Sequence, residues 1–388
     1  MEIMALRDIF RNFFPKAAPD IRVAIDIGSM SIKTVLFEKR GQNLIIIKKM
    51  VSQYPLREEP ADLIKFINSY IREELFQIIK ELHRVPSKVV AGVSGDFLEN
   101  SIHSIKAGRP HKNKQLTETE VGEIFMKGRD DFSSGNSDSV LIDSFPLRTL
   151  VNGYEIKDLS GDIQGDSVEI LIFASYMKKA HWDQFKTIKD VLGGIPLRFV
   201  SNQFVNAFSL PKILKVSDAF FVDVGAKATE MSLVEGERIR TIHRFPIGGY
   251  HFTKIVSDAL GVGYIEADNI KRQYEDQVLP ASVSAKIKGA FEKGIRGWKD
   301  EFVASISSNA HFILPASVYA FGGGLYISEI QDFLKEGEWT AGVSWREKTA
   351  VSFLSAEKIS HNMLDITKLS GFNEVSFLSL IYYSYVLD

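Results

Sequence analysis

Two short stretches of the chain carry the residue types that a phosphate-gripping site needs. In the first, the apolar run 22–25 (RVAI) ends in Asp26 and leads into the small-residue turn Gly28-Ser29-Met30-Ser31; in the second, 219–222 (AFFV) ends in Asp223, followed by Gly225-Ala226-Lys227-Ala228. A carboxylate at a strand end beside a tight turn suits a magnesium nucleotide. The turn's N–H groups face phosphate oxygens as an anion nest, and the carboxylate holds Mg2+ through water, because Mg2+ keeps much of its hydration shell. A third cluster, Gly322-Gly323-Gly324, follows a strand pattern and precedes a helical one, where backbone approaches a base or ribose with no Cβ in the way. Taken singly, each has a plain alternative: a hairpin turn for either Asp-x-Gly, a strand-to-helix turn for the glycines. Their order and spacing together argue for a nucleotide.

The elements that must position these residues repeat. After the first turn comes IKTVLFEKRGQNLIII, which alternates and breaks at 39–43 (KRGQN) as a hairpin does; after the second come TEMSLV, the turn Glu235-Gly236-Glu237-Arg238 and RIRTIHRF. Strand, Asp-x-Gly turn, strand, turn, strand occurs twice, which predicts a duplicated fold of two like domains with Asp26 and Asp223 in equivalent places and a ligand held in the cleft between them. Helical segments at 61–81 and 250–259, with later strands at 88–93 and 317–321, make the class α/β. Between the halves, 96–175 has its own rhythm: a strand (ENSIHSIKAG), a helix opening at Thr117 (TETEVGEIFMKGRDDF), a polar stretch at 133–137 and two strands, VLIDSFPLRTLV and SVEILIFASY. This strand-helix-strand-strand block reads as a module inserted in the first domain and as an interaction surface, since insertions are tolerated where they project. The expected division is 1–20 helix and linker, 21–95 and 176–214 first domain, 96–175 insert, 215–388 second domain.

Composition excludes several classes. The 388 residues are 45% apolar and 25% charged, ordinary for a globular protein. A net charge of -2 leaves no general footprint for nucleic acid, and the basic run 106–114 (KAGRPHKNK) has no interleaved aromatics to stack bases, so it reads as a solvated loop. With no cysteine there is no disulfide, thiolate metal site or cysteine nucleophile, which fits a reducing, cytoplasmic address. The longest apolar candidate, 375–387 (VSFLSLIYYSYVL), is too short for a bilayer and reads as a buried terminal helix. P-loop, HExxH, GxSxG and kinase glycine-loop patterns do not occur, and the eight histidines form no ligand spacing. The first residues lack a signal peptide's apolar segment and instead set Leu6, Ile9, Phe10, Phe13 and Phe14 on one helical face, with Arg7, Asp8, Arg11 and Asn12 on the other, until Pro15. That helix either docks on the protein's own surface or lies in a membrane interface with its arginines at the headgroups.

Whole motifs carry a resemblance. VAIDIGSMSIKTVLF resembles the first phosphate motif of the actin-like ATPases, the superfamily of actin, sugar kinases and heat-shock chaperones; FFVDVGAKATEMSLVEGERI resembles the second, and YAFGGGLYISEI the adenosine motif. RFPIGGYHFTKIVSDAL with EADNIKRQY is similar to the IPIGG…IT…AE-x-x-K run of the FtsA family of bacterial division proteins, and LVNGYEIKDLSGDIQGDSVEILIF to a segment of that family's inserted subdomain. The resemblance covers residue 22 to the end and implies an actin-like (ribonuclease H-like) duplicated two-domain fold. It implies Asp26, Gly28, Ser29, Ser31 and Lys33 on the first phosphate side, Asp223 and Gly225 on the second, Asp268 and Lys271 near the ribose, and Gly322, Gly323 and Gly324 at the adenosine. Asp26 and Asp223 would hold Mg2+, mostly through water. FtsA proteins bind ATP, polymerise into filaments and tether the tubulin-like ring protein FtsZ to the membrane. The resemblance therefore implies ATP and Mg2+ as ligands, self-association, an FtsZ-like partner and a place on the inner face of the cell membrane.

The chain departs from that family in three ways. The second phosphate turn, commonly DIGGGTTD, is Asp223-Val-Gly-Ala-Lys-Ala-Thr-Glu230 here; Ala226 and Ala228 tolerate only ordinary backbone regions at low cost, and Lys227 either faces phosphate as a point charge or points to solvent. Between Tyr274 and the helix beginning near Ala285 stand only about ten residues (EDQVLPASVS), where FtsA has a longer subdomain that helps dock FtsZ. The chain also ends at its terminal core helix, without FtsA's C-terminal anchor, a role the N-terminal helix would take over. PilM, the actin-like protein of type IV pilus assembly with PilN as its partner, is the alternative, sharing the insert, the short loop and the lack of a C-terminal anchor. A small-molecule kinase would need a catalytic carboxylate that the sequence does not offer; with positioning groups but no base to orient the attacking water, any ATPase activity is expected to be slow.

Overall fold

The computed structural model describes residues 20–386 apart from 41–42, 55–59, 135–137, 160, 360–363 and 366–368, so the stripe Leu6, Ile9, Phe10, Phe13 and Phe14 lies outside the described residues. Two compact units, Met1–Val205 and Asn206–Leu387, divide the chain.

The first unit runs β1 Asp20–Ile27, β2 Ser31–Arg40, β3 Asn43–Gln53, α1 Pro60–Leu82, β4 Lys88–Val93, β5 Glu99–Gly108, α2 Glu118–Ser134, β6 Ser139–Val151, β7 Tyr154–Ile156, β8 Ser167–Lys178, α3 Lys179–Phe185, α4 Thr187–Val191 and β9 Leu197–Ser201. Its main sheet has the order β3-β2-β1-β4-β9, antiparallel on one side of β1 and parallel on the other. The central strand is buried from Ile21 to Ile27, which is why its middle reads as a largely apolar run and why its buried carboxylate, Asp26, has to be partnered. Over it lies α1, whose Ile64, Ile67, Ile71, Leu75 and Ile78 recur at helical spacing and share a core with Val23, Ile25 and Ile27.

The inserted block forms a separate antiparallel sheet, β5-β8-β6-β7, whose core of Ile105, Leu116, Val151, Val168, Ile170 and Ile172 is met by Val121, Ile124 and Phe125 of α2. The alternation of Val168, Ile170 and Ile172 is the period-two pattern that sends one face of β8 inward. The short strand β7 is an addition to the strand-helix-strand-strand expectation: Asn152 and Gly153 both take positive φ, 50° and 85°, the requirement of a tight hairpin turn.

Unit two repeats the plan. α5 Asn202–Leu214 contains the boundary; then come β10 Ala219–Val224, β11 Thr229–Glu235, β12 Arg238–Phe245, α6 Gly249–Leu260, α7 Tyr264–Glu275, α8 Ala281–Ser307, β13 Ile313–Leu314, β14 Ser317–Phe321, α9 Ser328–Glu336, β15 Ser344–Trp345, β16 Ala350–Phe353, α10 Ala356–Ile359 and α11 Val375–Val386. Its sheet, β12-β11-β10-β14-β16, is again antiparallel on one side of the central strand and parallel on the other. The duplication expected from the sequence is thus a duplication of topology. Its core is aromatic: Phe291, Trp298 and Phe302 of α8 meet Phe252, Phe333 and Trp339. The apolar run at the C-terminus forms α11, with Phe377, Leu378, Leu380, Ile381 and Tyr383 buried. No helix among the described residues is long and apolar enough to cross a membrane.

Candidate functional site

In the first unit, pairing of β1 with β2 sets Asp26 directly opposite Lys33, so the strand register itself puts the two charges side by side. Lys33 Nζ lies 2.8 Å from Asp26 Oδ2, both side chains nearly enclosed, and Asn202 Nδ2 donates to Asp26 Oδ1 at 2.8 Å. The turn between the strands closes with the Gly28 N–H donating to the Ser31 carbonyl at 3.0 Å. Gly28, Ser29 and Ser31 are half-exposed there, so this turn offers backbone and hydroxyl groups to a ligand while Asp26 and Lys33 sit behind it. Tyr54 adds a group that sequence reasoning missed. Its N–H donates to Met30 at 3.0 Å, and its buried hydroxyl has no hydrogen-bond partner among the described residues. Burial first, then the charges of Asp26 and Asp96, push that phenol well above its ordinary range.

The second unit's turn is built the same way. The Gly225 N–H donates to the Ala228 carbonyl at 2.9 Å, matching the Gly28 bond. None of Gly225, Ala226, Lys227 or Ala228 has positive φ, so the alanines that replace glycines cost no backbone strain. Lys227 is half-buried in this turn rather than fully in solvent. Asp223 Oδ2 accepts hydrogen bonds from Ser376 Oγ at 2.8 Å and Asn206 Nδ2 at 3.2 Å, both neutral donors.

Glycine is required elsewhere. A Cβ on Gly248 would fall 2.5 Å from the Gly225 carbonyl oxygen and 2.7 Å from that of Ala226, because the first turn of α6 hydrogen-bonds straight onto the Gly225–Ala228 turn, Gly249 N–H to Gly225 at 3.0 Å and Tyr250 N–H to Ala226 at 2.7 Å. Gly322 has φ of 99°, and a Cβ there would lie 2.3 Å from Asp223 Oδ1; one on Gly324 would lie 2.4 Å from Val224 Cγ1. These two glycines are therefore demanded by the chain's own packing around Asp223, whereas Gly323 has room, its nearest neighbour Asn373 being 3.6 Å away.

Asp268 and Lys271 come together on α7 and reach the same region. Lys271 Nζ lies 3.0 Å from Asp268 Oδ1, 2.6 Å from the buried Thr253 hydroxyl and 3.4 Å from the Gly249 carbonyl, while Arg272 binds Asp268 Oδ2 at 2.9 Å. Burial raises the Asp268 carboxyl, but Lys271 and Arg272 outweigh it and hold it below the ordinary carboxylate range. Thus Asp223, Gly225, Lys227, Gly248, Gly322, Gly324, Asp268 and Lys271 belong to one neighbourhood of the second unit, while Asp26, Gly28, Ser29, Ser31 and Lys33 belong to one turn of the first.

The two aspartates differ in their fitness for Mg2+. Asp26 is almost fully enclosed and ion-paired with Lys33, whereas Asp223 is half-buried and accepts hydrogen bonds from Ser376 and Asn206. A hydrated cation, which binds through water to a carboxylate, fits Asp223 better.

No family model matches the chain. It is 20% identical over 286 residues to the cell division protein FtsA of Helicobacter pylori, a match covering 66% of this chain and 57% of that protein. With the cell division protein FtsA of Bacillus subtilis the identity is 21% over 261 residues, 66% of this chain and 58% of that protein. The chain thus spans just over half the length of these relatives. Among solved structures, one of a PilM–PilN type IV pilus biogenesis complex superposes with a TM-score of 0.64 at 17% identity, over 94% of this chain and 98% of that one. The fold is that of the actin-like ATPases, of the FtsA/PilM type. Within this actin-like fold, the paired topology of the two sheets accounts for the recurrence of the Asp-x-Gly turn. Asn202 and Asn206 were legible only as two polar residues four apart on an apolar helix (SNQFVNAF), and Ser376 carries no sequence signal at all, because it lies 153 positions beyond Asp223 in the chain.

Proposed function

We propose that this protein is an actin-fold scaffold that binds ATP with Mg2+ and passes its nucleotide state to a partner protein, with little or no turnover. The observation that carries the reading is the arrangement around Asp223: a half-buried carboxylate oriented by Asn206 and Ser376, beside a turn against which the start of α6 and the Gly322–Gly324 segment are packed. In this reading the half-exposed groups of Gly28, Ser29 and Ser31 and the Gly225–Ala228 turn offer hydrogen bonds to phosphate oxygens, Asp223 holds the hydrated cation, and the Lys33–Asp26 pair supports the first turn from behind. Mg2+, when bound, supplies charge neutralisation to the phosphates. Asp26 is tied to Lys33 and Asn202, and Asp223 to Asn206 and Ser376, so both are orienting groups and slow hydrolysis is expected. Direct titration with ATP tests this: Mg-dependent binding, strongly weakened by Asp26→Ala, is expected, and no binding by the unaltered protein would sink the nucleotide reading.

Two partners fit. Sequence likeness to cell division protein FtsA supports a role at the division ring, bound to an FtsZ-like protein, self-associating into filaments and linked to the inner face of the membrane by residues 1–16. The near full-length superposition on PilM from a PilM–PilN complex, with only Asp276 to Pro280 between α7 and α8, supports a pilus role with a PilN-like partner equally well. Pulldowns with the FtsZ tail and with the N-terminal peptide of PilN separate the two. Removal of residues 1–16 should abolish co-sedimentation with anionic liposomes while leaving the fold intact; unchanged sedimentation would refute the membrane link.

A further inference from the structure

The first turn of α5 is fastened in two directions. Ser201, the last residue of β9, accepts the Phe204 N–H at 3.4 Å as a helix cap, and the three side chains that follow it diverge. Asn202 donates to Asp26 Oδ1 at 2.8 Å. Gln203 and Phe204 turn instead to the inserted sheet. Gln203 Oε1 accepts from Asn100 Nδ2 of β5 at 3.1 Å, and the Phe204 ring stacks on Phe145 of β6 with centroids 3.7 Å apart and meets Phe173 of β8 at 5.1 Å. Asn100 is tied on to β8 by the Ser175 hydroxyl at 2.8 Å, and Arg198 of β9 reaches Asp143 of β6 at 3.1 Å while lying over the Phe145 ring. Each long strand of the insert is thus joined to the corner of β9 and α5, all within the first unit, and Gln203, Phe204, Phe173 and Ser175 are buried there.

The Asn202 amide has little else to hold it. Its Oδ1 is buried with no hydrogen-bond partner among the described residues, so besides the bond to Asp26 its place depends on where the helix start is held. We propose that the inserted sheet braces the Gly28–Ser31 turn: Gln203 and Phe204 are positioning residues that lock the start of α5 to the insert and so keep Asn202 on Asp26. The inference rests on the nucleotide reading above and names how that site is regulated. A capped helical turn moves as one body, so a displacement of Asn100 or Phe145 carries Asn202 with it. Asp26 then loses the donor on Oδ1 while Lys33 stays on Oδ2, and the carboxylate that pairs β1 with β2 beside the turn is free to reorient. Such coupling is reciprocal. A nucleotide that steadies the Gly28–Ser31 turn also tightens the insert against β9 and α5, and a partner that grips the insert changes nucleotide affinity by the same factor.

The test is calorimetric titration of the full chain with ATP at saturating Mg2+. Phe204→Leu, which breaks the ring stack, and Asn100→Ala, which removes the bond to Gln203, should each weaken ATP binding about fivefold or more. Ile170→Val loosens the insert's own core on the α2 side, the opposite face of β8 from Phe173, and should leave the affinity unchanged. Because the brace acts through Asn202, Phe204→Leu added to Asn202→Ala should cause no further loss. Hydrogen exchange reads the reverse direction: saturating ATP should slow the amides of Ser139–Val151 and Ser167–Lys178 about fivefold in the unaltered chain and not in Phe204→Leu. Full affinity in Phe204→Leu, an equal loss in Ile170→Val, a further loss on top of Asn202→Ala, or an insert whose exchange ignores ATP overturns the brace and leaves the nucleotide reading standing. Absence of any ATP binding by the unaltered chain overturns both.

Discussion

Adjacent glycines at the start of α6 make opposite demands, and substituting each by alanine tests how the Gly225–Ala228 turn of the second unit is built. Gly248 has φ of −154° and ψ of −166°, an extended conformation that any residue adopts, so only its neighbours require glycine. A Cβ there would stand 2.5, 2.7 and 2.9 Å from three backbone atoms of Gly225 and Ala226, and none of these can swing away as a side chain does. To reach ordinary contact the turn and the helix start must part by roughly 0.5–1 Å. That separation takes the bonds Gly249 to Gly225 (3.0 Å) and Tyr250 to Ala226 (2.7 Å) out of good geometry. Losing two such bonds at about 1 kcal/mol each, with residual overpacking, amounts to about 2–4 kcal/mol. Alanine at Gly249 meets nothing closer than 3.6 Å and removes backbone freedom from the unfolded chain, so it should be neutral or stabilising by about 0.5–1 kcal/mol. Hydrogen exchange at the amides of 249–260 reads the stability of this element, and calorimetry reads nucleotide affinity. Gly248→Ala should speed exchange and weaken binding, with Gly249→Ala close to the unaltered protein. Indistinguishable behaviour of the two variants would refute the packing argument.

Three further outcomes are expected. Asp26→Ala strands the enclosed Lys33 ammonium and should destabilise the first unit by about 3–5 kcal/mol, whereas Asp26→Ala with Lys33→Met should cost less than the sum of the singles; urea midpoints of the four proteins measure this, and strict additivity would contradict a paired interaction. Ser376→Ala removes the 2.8 Å hydrogen bond to Asp223 and should cost about 1–3 kcal/mol and weaken the Mg-dependence of ATP binding, which titration with and without Mg2+ would show; unaltered Mg-dependence counts against Asp223 as the cation's carboxylate. Burial foremost pushes the Glu275 carboxyl up to about 7 from an ordinary value of 4.5, so folding is favoured while it is protonated. Its stabilising protonation is fully present below about pH 4.5 and lost as the pH rises through about 7, a difference of about 3 kcal/mol by linkage. Glu275→Gln should therefore raise the unfolding midpoint at pH 8 and leave it unchanged at pH 4; an equal shift at both would exclude the titration.

Part of this was readable in advance for a simple physical reason. A strand buried on both faces is largely apolar, so an aspartate near its C-terminal end stands out, and Asp26 and Asp223 were visible as the same exception made twice. The turn chemistry at Gly28 and Gly225, the hairpin breaks and the helical periodicity of α1 and α8 are likewise local signals, written within a few residues of where they act. From these, the sequence by itself determined the α/β class, the duplication, the inserted block and the buried character of the terminal helix.

What holds the aspartates is not local. Lys33 could be linked to Asp26 only once the register of β1 and β2 was set, and Asn202, Asn206 and Ser376 reach their carboxylates from helices distant along the chain. The glycines were misleading in the same way. Replacing two of them at Ala226 and Ala228 looked like a loss, yet that turn needs no positive φ, while Gly248, which has an ordinary backbone, is indispensable because two carbonyls lie against it. Glu275 shows the same limit: its spacing is that of any helix-end glutamate, and only burial in the fold leaves its Oε1 without a donor among the described residues. Periodicity and backbone preference act over a few residues and so are written in the sequence; steric exclusion, desolvation and hydrogen-bond partnership depend on which atoms the fold brings within about 4 Å, and only the tertiary structure decided them.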